Sequence, residues 1–77
     1  MYTYYETLDW NKQPDGKFFR VSYVNNQISV EACLGYQPEG WRKFSVETFE
    51  LFRQAGMVEV NLEKINEERR RNNLSSV

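Results

Sequence analysis

The side chains here that could do chemistry are carboxylates, arginines and one thiol. Histidine is absent and Cys33 is the single cysteine. The commonest general base and the commonest transition-metal ligand are therefore both missing. Mechanisms built on Ser–His–Asp or Cys–His are excluded, and one chain cannot assemble a tetrahedral Cys/His zinc site. The alternating oxygens of Asp9, Asn11, Gln13 and Asp15 resemble the start of a calcium loop, but Pro14 stands where that loop needs glycine and Arg20 where it needs a bidentate glutamate. Neither a metal nor another cofactor is expected. The pairs Glu47/Glu50 and Glu63/Glu67 have helical spacing, which describes a solvated face with ion-pair partners such as Arg71 better than an acid–base pair. Glycines at 16, 35, 40 and 56 punctuate turns and form no phosphate cradle. Cys33 reads as a half-buried structural thiol, because only Arg20 would stand near it and a reactive thiolate needs a basic neighbourhood. The chain is not expected to be an enzyme.

What remains points to recognition. Five tyrosines, five phenylalanines and two tryptophans are more rings than a thin core readily hides. Exposed rings beside arginine are the material of protein-binding hot spots. The partner-binding residues expected on this ground are Trp10, Phe18, Tyr36, Trp41 and Arg42. A second feature is Arg69-Arg70-Arg71 at the end of a helix, where cations complement the helix dipole or dock on an acidic surface or phosphate. The leading expectation is a small binding protein that engages another protein, such as a regulator, an inhibitor or an accessory subunit of a bacterium or phage. The alternative is a single-stranded nucleic-acid binder that stacks bases on sheet aromatics and meets phosphates with the Arg run. A homo-oligomeric structural part is the remaining alternative.

These residues must be positioned by few elements. The chain has 77 residues, enough for one small core, and residues 1–77 are expected to form a single domain with a frayed tail from about 69 to 77. The formal net charge of −1 supplies no field toward nucleic acid or lipid. The longest apolar run falls far short of the roughly 20 residues that cross a bilayer. Met1–Glu6 has neither the basic nor the apolar region of a signal peptide. A cytoplasmic location and no membrane contact are expected, in keeping with a lone cysteine.

The clearest local signal is a hairpin, Lys17–Val24 and Gln27–Leu34 around Asn25-Asn26, whose Asn residues tolerate positive φ. Its register opposes Tyr23 to Ile28, Val21 to Val30 and Phe19 to Ala32 on one face, and Arg20 to Glu31 and Ser22 to Ser29 on the other. Phe18 then falls opposite Cys33.

Tyr2–Trp10 is a further strand, joined through Pro14-Asp15-Gly16 as a turn. Two registers are open. One aligns Trp10 with Arg20 and Leu8 with Ser22. The other brings Trp10 beside Val21 and Leu8 beside Tyr23, and the hydrophobic pattern favours it. Trp41–Phe44 is a short strand after the loop Gly35–Gly40. Ser45 caps a helix at Val46–Ala55 with Val46, Phe49 and Phe52 as its stripe, and Gly56 is its left-handed cap. Met57–Val60 is a further short strand candidate. Asn61 caps a helix from Leu62 to about Asn72, which docks by its first turn while its remainder projects into water. The whole reads as α+β: an antiparallel meander of three to four strands, one helix across one face, and a second, mostly polar C-terminal helix.

Overall fold

The computed structural model describes all 77 residues. Seven elements follow one another: β1 Thr3–Leu8, β2 Pro14–Val24, β3 Gln27–Leu34, β4 Arg42–Lys43, α1 Val46–Ala55, β5 Met57–Val60 and α2 Leu62–Arg71. The strands form one sheet in the order β4-β3-β2-β1-β5, antiparallel throughout. The sheet has five strands rather than three to four because β5 returns to pair with β1 at the edge away from β4. To join opposite edges, α1 must cross the sheet. Its 10 residues span about 15 Å, most of the roughly 19 Å across five strands.

The β2–β3 hairpin has the expected register, from Val24↔Gln27 through Val21↔Val30 to Lys17↔Leu34. Asn25 and Asn26 take positive φ of 52° and 63°, as a two-residue turn between right-twisted strands demands. Phe19, Val21, Val30 and Phe49 form the core under α1, with Tyr5, Ile28, Ala32, Phe44, Val46, Phe52 and Met57 packed around them. Phe19 is central: its ring lies 5.4 Å from Phe49 and 5.0 Å from Phe44, both edge-on. Ser45 caps α1 as expected, its hydroxyl accepting from the Thr48 amide at 3.2 Å.

Neither register expected for β1 occurs. Tyr5 pairs with Phe19 and Tyr4 with Arg20, and Leu8 meets Pro14 after a bulge. The turn is made earlier, by Asp9, whose carboxylate accepts from the amides of Asn11 (2.8 Å) and Gln13 (3.0 Å). Pro14-Asp15-Gly16 is not a turn but the bulged start of β2. Gly16 supplies the positive φ of 82°, and its amide donates to Glu6 Oε2 at 2.9 Å. Trp10 therefore leaves the sheet and sits in the turn, beside neither Val21 nor Arg20.

Three smaller differences follow from tertiary pairing. β4 holds only Arg42–Lys43 of the expected Trp41–Phe44 strand. Gly56 has φ 133° and ψ 126° rather than a left-handed helical cap, because the chain runs straight into β5; its amide still closes on Phe52 O. The first turn of α2 is capped by Asn61, as expected, but its far end does not project into water. Arg69 is 1% exposed and Ile65 fully buried, so α2 closes against the sheet face opposite α1 through its side chains. Lys64 pairs with Glu6 and lies 5.6 Å from the Phe18 ring centroid.

Residues 72–77 do not fray either. The Val77 amide donates to Asn66 Oδ1 at 2.7 Å, Asn66 Nδ2 returns a bond to Val77 O, and Arg69 Nε holds Ser75 O at 2.7 Å. A long buried cation supplies the anchor that the polar sequence of the tail concealed.

Candidate functional site: the loop end of the sheet

Because β1 ends at Leu8, β2 begins at Pro14 and β3 ends at Leu34, the Asp9–Gln13 turn and the Gly35–Trp41 loop emerge at the same end of the sheet. Of the residues expected to bind a partner, Trp10 and Tyr36 lie at this end. Trp10 is 88% exposed, on a turn fixed by the Asp9 carboxylate and by the Lys12 amide donating to Asp9 O at 2.9 Å. A large ring is thus displayed on a rigid support. Tyr36 is 50% exposed, and its ring lies over Gly16, where a Cβ would stand 3.4 Å from Cδ1.

Arg42 is also exposed, at the sheet edge beside Ala32. It borders a cleft of about 490 Å³ whose other lining includes Ala32, Leu34, Gln37, Gly40 and Phe44. Glu39, Arg42 and Lys43 also line this largely apolar cleft, and none of the three makes an ion pair, so its charged rim carries two cations and one carboxylate.

Phe18 and Trp41 are placed otherwise. Phe18 is fully buried between the sheet and α2 and offers no surface, because α2 covers the face expected to be open. Trp41 is half-buried; its ring folds over the sheet face opposite α1, 5.9 Å from Tyr4 and 4.8 Å from the Arg20 guanidinium carbon.

The arginine run divides. Arg69 turns inward, and its guanidinium donates to the carbonyls of Leu34 (2.9 Å), Gln37 (3.0 Å), Pro38 (3.0 Å) and Glu39 (3.2 Å). It organises the Gly35–Trp41 loop from within and is not at the surface. Arg71 pairs with Glu67 and Glu68 on its own helix, and Arg70 remains exposed without an ion pair. Neither the role of Arg69 nor the bracing by Asp9 was anticipated from the sequence. The second had a visible signal, an Asp two residues before Asn11 and four before Gln13. The first had one in helical spacing: Arg69 follows Leu62 by seven residues and Ile65 by four, which puts it on the apolar face of α2.

Cys33 is buried, and Arg69 Nη1 donates to its Sγ at 3.2 Å. Burial pushes the thiol above its ordinary range, and the charge and hydrogen bond of Arg69 pull the other way without overcoming it. No three His, Cys, Asp or Glu side chains converge in a way that could hold a metal ion, and no helix is long and apolar enough to cross a membrane. Comparison with protein-family models, with curated proteins and with solved structures finds no match. The fold is that of a small antiparallel α+β domain.

Proposed function

We propose that the chain is a small non-enzymatic protein-binding module, a regulator, inhibitor or accessory subunit, whose contact surface is the loop end of the sheet. The observation that carries this reading is Trp10, 88% exposed on a turn braced by three hydrogen bonds to Asp9. Displaying an indole to water forfeits its burial energy, on the order of 2–3 kcal/mol, and fixing the turn beforehand removes an ordering cost from binding. Tyr36 and the cleft beside Arg42 extend the surface around it.

The test is capture of partners from a lysate of the source cells on immobilised protein, compared with Trp10→Ala and Arg42→Ala. Partners kept by Arg70→Ala and lost by Trp10→Ala support the loop end; identical capture by Trp10→Ala and the unaltered protein removes it. The nucleic-acid alternative retains Arg70 and the exposed rings but lacks Arg69, which is turned inward. Fluorescence anisotropy with a single-stranded oligonucleotide at low salt separates the two, since phosphate contacts lose affinity steeply as salt rises.

A further inference from the structure

Arg20 stands mid-strand in β2 on the face opposite α1, with Tyr4 beside it on β1 and Glu31 on β3. Its Nε donates to Glu31 Oε1 at 2.8 Å. The guanidinium carbon lies 4.2 Å from the Tyr2 ring centroid and 4.8 Å from that of Trp41. The two rings and the ion pair hold the guanidinium plane in place, but nothing in the protein accepts from Nη1 or Nη2. A cross-strand ion pair needs only the Nε contact already made, which leaves the remaining fork without a structural use.

A second donor is left over at the same place. The Trp41 indole Nε1 is shielded from solvent and has no hydrogen-bond partner, the single such side-chain atom in the molecule. Buried donors are almost always satisfied, and this unmet one belongs to the ring that packs against the Arg20 guanidinium.

We propose that Arg20, flanked by Tyr2 and Trp41, is a binding site for a carboxylate. A carboxylate is planar and takes two parallel N–H bonds from a guanidinium in one plane, which suits a fork whose Nη1 and Nη2 are unused and whose position is held by Glu31 and two rings. Glu31 already offsets the charge of Arg20, so the extra negative charge of a phosphate dianion meets repulsion there rather than reward. This site is on the sheet face, apart from Trp10, and stands whether or not the loop end binds a protein.

The test is a titration followed by nitrogen-15 NMR at constant ionic strength, observing the Trp41 indole and Arg20 Nε–H signals. The probes are N-acetylglycine for a chain-terminal carboxylate, N-acetylglutamic acid α-amide for a side-chain carboxylate, and inorganic phosphate. Saturable shifts with a carboxylate, at a dissociation constant on the order of 1–10 mM, are expected, and the tighter of the two carboxylates identifies the source. Arg20→Lys keeps a cation facing Glu31 but not the fork, and weakens binding at least about tenfold; Trp10→Ala leaves it unchanged. If Arg20→Lys does not fold, Trp41→Phe is measured at Arg20 Nε–H, where weaker binding supports the site and equal binding opposes it. The proposal is overturned by an absence of saturable shifts, by equal affinity in Arg20→Lys, or by phosphate binding as tightly as either carboxylate.

Discussion

Arg69 Nη1 lies 3.2 Å from Cys33 Sγ, joining α2 to the end of β3 through a charge that no carboxylate neutralises. The same guanidinium collects the carbonyls of Leu34, Gln37, Pro38, Glu39 and Ser75. Each carbonyl is a partial negative charge, and together they solvate the cation as water would. In return, a loop without regular secondary structure acquires one shape. The aromatic display at Tyr36 and the cleft beside Arg42 depend on this inward-turned residue.

Arg69→Met keeps much of the length and removes every donor, leaving several carbonyls without partners. Urea unfolding should report a loss of about 3 kcal/mol. Arg69→Lys should recover only part of it, because a single ammonium cannot fan out to carbonyls on several sides. A Met variant as stable as the parent would mean that the loop holds itself.

Gly35 is confined by close approach. A Cβ there would stand 2.9 Å from Phe18 Cε2, 3.1 Å from Glu68 Cγ and 3.3 Å from the Gly16 carbonyl oxygen. Gly35→Ala should cost about 1–3 kcal/mol by overpacking, measured by thermal or chemical denaturation. Gly40→Ala is the control, since its nearest neighbour would be Val77 Cγ1 at an ordinary 3.6 Å.

The buried Cys33 thiol holds its proton more firmly when folded than when unfolded. Below the ordinary thiol range, about pH 8.5, both states are protonated and this preference is fully satisfied. As the pH rises through that range toward the raised value, the unfolded chain loses its proton first and stability falls. Unfolding free energy measured from pH 7 to 10 should decline more steeply in the parent than in Cys33→Ala. Alkylation of the native thiol at pH 8 should also be slow relative to the urea-unfolded chain.

At the start of α1, the Glu47 carboxyl is held below its usual range by its own backbone amide and then by the Ser45 hydroxyl, which donates to Oε2 at 3.0 Å. A lowered carboxyl stabilises the fold above its unfolded value, about pH 4.3, and that contribution is lost as the pH falls through the lowered folded value. Circular dichroism between pH 5 and 2 should show Glu47→Gln lacking this part of the acid response. Ser45→Ala, which also removes the cap on Thr48, should cost about 1 kcal/mol at neutral pH.

The readable parts of this protein are those whose cause is local. Asn25-Asn26 can close only a tight hairpin, and once closed, side-chain alternation settles every pair from Val24↔Gln27 to Lys17↔Leu34. Ser45, the Val46, Phe49 and Phe52 stripe, and Gly56 bounded α1 to the residue. Tyr36 was read in a loop and lies in one, whereas Trp10 was read at the end of a strand and owes its exposure to the Asp9 turn that takes it out of the sheet.

Tertiary structure alone decided the rest. The register of β1 against β2 depended on which of two turn-forming stretches made the bend, and that choice was settled at a distance, where the Glu6 carboxylate reaches Gly16 and Leu8 meets Gly56. The burial of Phe18 required α2 to come down on a face that its own composition gave no reason to cover. Helical spacing puts Arg69 on the face of Leu62 and Ile65, but only the carbonyls of the distant Gly35–Trp41 loop and Ser75 let that face close with a charge enclosed. Sequence determines what is fixed between neighbours along the chain; which charge is enclosed and which ring is displayed belongs to contacts made only when distant segments meet.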